Sequence, residues 1–538
     1  MRAVIFGVDG LTFRVLHPLI ERGDLPNFRR LKQDGCEAVL ESKYPPLTPA
    51  AWMSLATGLK PAGHGVYDFW EFEEQPWSGG TCKARVLTRR KGGRAIWNIL
   101  SELGKRVLVI NVPLTYPPDP VNGIMVSGYM TPSRGDFTYP AAFKEELYRA
   151  VPDYQIDLEK EDIFSVESSG KPERLIEATL YMTRRRIELT NYMLKEKPWD
   201  FCFVAFVGAD RLQHPLWEEI SSLNAKAVEY FRVLDHGLGL ILDQLTPDDT
   251  LFVVSDHGFQ AASRTFEINE YLYSKKLLAL GAGLQRSRER SKRLSNLKHI
   301  IAQMGLLPLG RLVKRRLQAD NLTGQFEDVA QPISTDIDWE NTTAYVPSHS
   351  SFPGGYADVF LHDNLDAEQL HELCEDLKSL VDPLSGKPLI DALYTTEAFG
   401  EGPYAPRERH LLLLPTDGIT FRMSLGNTRL WDNARLRHDL NKRCGVHHKD
   451  GVLYAYGGGV KKGFAAPRAE IYDVVPTVLH SMGLPVDQGF DGRVLDELFV
   501  EREVTPGATQ SRQNLVQQKL KRLLTMQADG HFTVIGAE

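Results

Sequence analysis

Three aspartates stand just past short apolar runs that read as buried strands: Asp9 after Ala3 to Val8, Asp210 after Phe201 to Val207, and Asp256 after Thr250 to Val254. That places them at carboxyl ends of strands, where open α/β sheets bind their ligands. Each has an imidazole close by in sequence or pattern. His214 follows Asp210 by four residues, so in a helical turn the two project from one face. His257 directly follows Asp256 in Ser255-Asp256-His257-Gly258, and a third imidazole is offered by Gly445-Val446-His447-His448-Lys449-Asp450-Gly451. Carboxylate and imidazole donors without thiolate suit Zn²⁺, Mn²⁺ or Fe²⁺ better than Ca²⁺ or Mg²⁺. Three Asp and three His are enough for two ions. Taken singly, an Asp after a strand is often a helix cap and an Asp-His pair is commonplace; Asp235-His236, inside a helical pattern, is such a pair and is given no role.

The deciding feature is Tyr44-Pro45-Pro46-Leu47-Thr48-Pro49-Ala50-Ala51-Trp52-Met53-Ser54-Leu55-Ala56-Thr57-Gly58. Thr48 before Pro49 reads as an N-cap followed by Pro at the first helical position, with a helix running to a Gly stop. A hydroxyl at that place faces free amides and the positive dipole end, which favours an alkoxide and an incoming phosphate. Contact with a metal would ease loss of its proton and make Thr48 a nucleophile. Two divalent ions outweigh three carboxylates by one positive charge, so such a site wants an anion.

These residues need a scaffold that lines up strand ends. Ala3 to Val8, Arg106 to Val112, Phe201 to Val207, Thr250 to Val254 and Val452 to Tyr456 read as buried parallel strands. Helical patterns lie between them at Pro26 to Asp34, Ala95 to Leu103, Pro172 to Lys195 and Ala225 to Gln244. The alternation predicts a doubly wound, mostly parallel α/β sheet. From about residue 260 to 440 the text changes to strand-like pieces at Thr343 to Pro347 and Tyr356 to Leu361 and an amphipathic helix from Asp366 to Val381. This is expected to be an inserted α+β cap that splits a catalytic core of residues 1–259 and 441–497. Residues 498–538 are read as a polar tail with a helix around Gln510 to Leu524.

Within the insertion, residues 274–317 carry twelve basic side chains against one acid, Glu289, interleaved with leucines. The pattern suits an amphipathic lid that contacts an anionic membrane surface or roofs an anionic substrate, or else a solvated face. The whole chain of 538 residues has 63 basic and 70 acidic side chains, and its net charge of -7 gives no reason to expect nucleic acid. Its 42% hydrophobic and 25% charged residues are those of a globular protein, which excludes disordered, collagen-like and coiled-coil chains. Five scattered cysteines, with no C-x-x-C, form neither a disulfide framework nor a thiolate metal site. Without a signal-like h-region or a run of about 20 apolar residues, the expected location is the cytoplasm.

The order of Asp9 in Gly7-Val8-Asp9-Gly10, Thr48 ahead of Ser54-Leu55-Ala56-Thr57-Gly58, Asp210-x3-His214, Ser255-Asp256-His257-Gly258 and Gly445-x-His447 resembles that of the alkaline phosphatase superfamily. Among its branches the chain looks most like the type I phosphodiesterase and nucleotide pyrophosphatase group, in a subgroup of phosphohydrolases or phosphomutases. The resemblance implies that Asp210, His214 and His447 hold one ion. It implies that Asp9, Asp256 and His257 hold a second, with Thr48 as nucleophile on that ion. His447 is preferred to His448 by register with the family's Gly-x-His pattern alone. His64, in Gly63-His64-Gly65, recurs in such proteins but reads equally as a structural loop histidine. Many members carry Asn three positions after the nucleophile, where this chain has Ala51. The Cys/Ser-x-Pro-x-Arg motif of sulfatases is absent around Thr48.

The expected function is a two-metal phosphohydrolase, with Zn and otherwise Mn or Fe, that cleaves a phosphodiester or phosphomonoester of a small substrate through phospho-Thr48. A phosphomutase using the same site is the nearest alternative. A non-catalytic polyanion-binding protein built on the basic stretch is a further one.

Overall fold

The computed structural model describes residues 1–42, 45–72, 84–132, 135–163, 165, 172–286, 289, 337–347, 355–406, 409–423, 425, 430–433 and 445–500. The basic stretch beyond Arg286, apart from Glu289, and the expected tail helix lie outside them. Seven strands make up most of the central sheet: β1 (Ala3–Val8), β2 (Cys36–Glu41), β3 (Val107–Ile110), β4 (Gly123–Val126), β5 (Phe201–Phe206), β6 (Thr250–Val254) and, after two strands that lie outside this sheet, β9 (Asp450–Gly457). Their spatial order is β2-β9-β6-β1-β5-β3-β4. β6, β1, β5, β3 and β4 run parallel, whereas β9 runs antiparallel to both neighbours. The sheet is the expected mostly parallel one, closed at its far edge by short antiparallel Thr138–Tyr139.

The strands read as continuous apolar runs because both faces are covered. Along β1, Val4, Phe6 and Val8 join a core on one face, while Ala3 and Ile5 join a core on the other. Helices Pro172–Glu196 and Ala225–Leu242 cover the first face, and α1 (Thr48–Thr57) lies on the second. All ten residues of α1 are buried, so this helix is apolar all round rather than amphipathic. Asp235, given no role from sequence, is buried and accepts from the amides of Asn27 and Phe28 at 3.0 and 2.9 Å. It thereby satisfies the first turn of helix Pro26–Asp34 from a different helix.

β2 escaped the sequence reading. Its alternating buried and half-buried residues, Cys36-Glu37-Ala38-Val39-Leu40-Glu41, are the signature of a half-covered strand rather than an apolar run. Two short strands, Phe464–Ala465 and Ala469–Glu470, pair parallel with β2 in the central sheet, and other strands form separate sheets. β7 (Gly258–Glu267) pairs with Gly418–Arg422, with Trp431–Asn433 and with β8 (Gly445–His448). Ala344–Tyr345, Ala357–Leu361, Arg409–Pro415 and Ile390–Thr395 make a further sheet, with helix Ala367–Ser379 beside it. Among the described residues no helix is long and apolar enough to cross a membrane.

One close approach ties the sheet to α1. A Cβ on Gly7 would lie 2.5 Å from Cη2 of Trp52, so only glycine lets this indole cross the strand. Gly7→Val should therefore cost about 1–3 kcal/mol through overpacking, read as a lower urea midpoint at unchanged slope. It should also loosen Trp52, visible as a shift in tryptophan emission.

Candidate metal centre

The central position of β1 between β6 and β5 decides which side chains meet. Asp9 directly follows β1, and its amide donates to the Phe206 carbonyl at the end of β5 at 2.9 Å. Asp256 lies two residues past β6, and Asp210 sits in the first turn of α2 (Gly208–Ser221), which follows β5. Strands about 4.8 Å apart thus deliver three carboxylates to one spot. All three are buried.

The histidines arrive by three routes. His214 is one turn after Asp210 on α2, with Nε2 3.2 Å from Asp210 Oδ1. His257 follows Asp256 just before β7, and Nε2 lies 3.3 Å from Asp256 Oδ2 and 3.4 Å from Asp9 Oδ1. His447 is on β8, opposite Phe259 of β7, with Nε2 3.1 Å from Asp210 Oδ1 and 3.2 Å from His214 Nε2. Adjacent strand residues point to opposite faces, and His448 accordingly turns away to Asp417, 3.1 Å from its Nε2. The structure brings together all six of the carboxylates and imidazoles expected as ligands. His257 is shared geometrically: Asp210, His257 and His447 form one close group, and Asp9, Asp256 and His257 another. Its ring stacks on that of His447 with centroids 3.6 Å apart.

Hydrogen bonds fix the protons. His214 Nδ1 faces the Gly445 carbonyl at 3.0 Å, His257 Nδ1 the Gly258 carbonyl at 3.1 Å, and His447 Nδ1 the Pro46 carbonyl at 2.9 Å. A carbonyl only accepts, so each Nδ1 carries a hydrogen and each Nε2 points into the cluster. Backbone partners of this kind orient metal-binding imidazoles. Asp9 Oδ1 and Asp256 Oδ2 are buried and have no hydrogen-bond partner. Burial pushes the pKa of both well above the usual carboxylate range, and Asp210 raises Asp9 while Asp9 raises Asp256. For Asp210 burial acts in the same sense, yet His214 and His447 hold it well below that range. His257 is pushed down by burial and by His447. Converging Nε2 atoms and carboxylate oxygens without hydrogen-bond partners are what bound cations satisfy, so the donor set fits metal ions.

Thr48 corrects its expected local role. Leu47, with φ -130° and ψ 132°, occupies the cap position, and Thr48 is the first residue of α1. Its buried hydroxyl lies 3.4 Å from His257 Nε2. Trp52, one turn further on, donates its indole N–H to Asp9 Oδ2 at 3.2 Å; the i, i+4 spacing from Thr48 could have revealed it. Phe259, two residues past His257, lies within 6.1 Å of all three imidazoles, centroid to centroid. His64 takes no part: its Nδ1 accepts from the Val66 amide, its Nε2 meets Ser54 Oγ at 3.0 Å, and burial, helped by Arg90, lowers its pKa to about 3. It is a neutral clamp between two short helices.

Residues 3–376 match the family model of type I phosphodiesterase / nucleotide pyrophosphatase. The chain belongs to that family. Its fold is that of phosphonoacetate hydrolase from Sinorhizobium meliloti 1021, solved with phosphonoacetate, at a TM-score of 0.55 and 14% identity over 89% of this chain and 95% of that one. It also matches murine ectonucleotide pyrophosphatase / phosphodiesterase 5, solved as an inactive threonine-to-alanine form with AMP, at a TM-score of 0.50 and 12% identity over 93% of this chain and 100% of the other. No curated protein matches the chain. The protein is thus a phosphoester hydrolase on an alkaline phosphatase-like fold, with side-chain groups able to hold metal at the carboxyl edge of its sheet.

The buried carboxylates set a pH dependence. In the metal-free phosphodiesterase the raised pKa of Asp256 contributes stability below its unfolded value near 3.8, and that contribution is lost as pH rises through the raised folded value. Bound cations reverse the preference. The thermal shift on adding Mn²⁺ or Zn²⁺ to chelator-treated protein should therefore grow from pH 5 to pH 8. Asp256→Asn keeps an acceptor for the Gly10 amide, 3.1 Å from Oδ1. It should raise the metal-free melting temperature at pH 8 and remove most of the metal-induced shift, as scanning fluorimetry would report.

Proposed function

We propose that the protein is a two-metal phosphohydrolase in which Thr48 Oγ1 is the nucleophile and a phosphothreonine the covalent intermediate. The observation that carries this reading is the placement of a buried hydroxyl 3.4 Å from His257 Nε2, against a cluster whose donors all face inward. Asp210, His214 and His447 would hold one ion, and Asp9, Asp256 and His257 the other, with zinc favoured and Mn²⁺ or Fe²⁺ served by the same donors. When bound, such ions supply the Lewis-acid charge that eases deprotonation of a hydroxyl and offsets the charge of a phosphoryl group.

The remaining work falls to the chain itself. α1 presents Thr48 at its start, and burial of all ten residues of that helix leaves the hydroxyl little freedom. The Trp52 indole holds Asp9 in place. Three Nδ1–H bonds to backbone carbonyls keep every Nε2 turned into the cluster. Thr48 Oγ1 would attack phosphorus in line with the departing oxygen, forming the Oγ–P bond as the ester P–O bond breaks. Water would then hydrolyse the phosphothreonine and free the hydroxyl. The inactive form of the murine protein is a threonine-to-alanine change, the kind of loss this reading expects at Thr48. Pro46, Tyr356, Leu414, His447 and Lys449 line an open space beside the cluster.

Thr48→Ala should fold and keep its metal while losing turnover by at least about 10³-fold, since a nucleophile has no substitute. Thr48→Ser, which keeps a hydroxyl, should retain part of the rate. Because Leu47 and not Thr48 sits at the cap, the Ala variant should lose little stability. Acid quench of the wild type during turnover of p-nitrophenyl phosphate should yield a phosphorylated peptide containing Thr48. A folded Thr48→Ala protein with near wild-type rates would refute the proposal.

A further inference from the structure

Beside the cluster stands a cation that the expected ligand set leaves out. Arg211 follows Asp210 on the first turn of α2, and its Nη1 lies 3.8 Å from Asp210 Oδ2. Its side chain is only 15% exposed. Two contacts hold the guanidinium: Nη2 donates to Asp157 Oδ2 at 2.8 Å, and Cζ sits 4.4 Å from the centroid of the Tyr129 ring. Stacking and a single carboxylate bond fix the plane of the group without using all its donors. Arg211 Nε is buried with no hydrogen-bond partner, and so is Asp157 Oδ1. The positive charge also reaches Asp9, whose pKa burial pushes up and Arg211 pulls down.

Leaving a charged donor unpartnered in the protein costs more than leaving it in water, and such groups call for an explanation. The start of α1 offers a substrate little: Pro49 has no amide hydrogen, Ala50 and Ala51 have no polar side chain, and the Ala51 amide is already given to the Leu47 carbonyl at 2.9 Å. A phosphoryl group bound beside Asp210 would have the Arg211 guanidinium within reach, its Nη1 being 3.8 Å from Asp210 Oδ2. The phosphoryl group of a monoester carries one more negatively charged non-bridging oxygen than that of a diester. In a diester that position is an alkoxy group with no charge to give a guanidinium. A fixed arginine at this edge discriminates between the two.

We propose that Arg211 is a specificity-determining residue that binds a charged phosphoryl oxygen next to Asp210 and biases the site toward dianionic phosphomonoesters. The inference rests on the hydrolase reading above and deepens it by naming the substrate class. It differs from a purely structural role, in which Arg211 would only steady Asp210 and would affect all substrates alike.

The test uses the full chain reconstituted with Mn²⁺ or Zn²⁺ and two esters with the same leaving group, p-nitrophenyl phosphate and methyl p-nitrophenyl phosphate. Arg211→Met should lower the monoester-to-diester ratio of kcat/KM by about 30-fold, the size of a lost hydrogen bond between charged groups. Arg211→Lys should recover part of that ratio. Because Arg211→Met leaves Asp157 buried without its partner, the double variant Arg211→Met with Asp157→Asn removes both charges, and it should show the same ratio with unchanged metal content. Affinity for inorganic phosphate, measured by calorimetry on the metal-loaded protein, should weaken by a similar factor. An unchanged ratio and unchanged phosphate affinity would overturn the inference. Should the wild type hydrolyse neither ester, the hydrolase reading fails, and the phosphate titration still decides whether Arg211 binds the anion.

Discussion

Three carboxylates cannot share a water-poor corner unless positive charge joins them, and the rest of the molecule is arranged around that electrostatic demand. Strand order alone creates the problem, because β6, β1 and β5 are neighbours and each ends close to an aspartate. Burial of Asp9 and Asp256 without partners for Oδ1 and Oδ2 would oppose folding at neutral pH. The imidazoles have their Nδ1–H groups committed to carbonyls and turn their Nε2 atoms inward toward the carboxylates. What remains is a cage of inward-facing ligand atoms of the kind that bound cations satisfy.

The supporting shell explains why that cage has one geometry. Its carbonyls come from three places far apart in sequence: Pro46 ahead of α1, Gly258 at the start of β7, and Gly445 at the start of β8. Gly258 matters for its missing Cβ, which would lie 1.9 Å from the Asp450 carbonyl oxygen; the β8–β9 turn packs directly on this backbone. Phe259 then fills the space beneath the three rings, with Trp217 stacked behind it. Phosphoester chemistry here is a property of the sheet edge and of the segment that returns as β8, not of one motif.

Much of this was legible in the chain. Apolar runs that stop at Asp9, Asp210 and Asp256 gave the strand ends, and the four-residue step from Asp210 to His214 gave a helical face. Other features depended on contacts that no local pattern encodes. His447 and His448 are indistinguishable until β8 pairs with β7 and strand alternation turns one toward Asp210 and the other toward Asp417. The Thr-Pro pattern suggested a capping threonine, whereas the helix starts at Thr48 itself, with Leu47 at the cap and the hydroxyl facing His257. Asp235 looked idle because the amides it satisfies belong to another helix. No pattern in the chain marks Arg211, whose surroundings depend on Tyr129 and Asp157, distant in sequence, packing against it.

The most direct measurement is the number of metal ions bound per chain. Chelator-stripped protein dialysed against Zn²⁺ or Mn²⁺, then analysed by elemental analysis and native mass spectrometry, should hold two ions. His214→Ala should hold about one, since a lost ligand from the Asp210 group has no replacement. A folded wild-type chain that takes up no transition metal under these conditions would contradict the account at its centre.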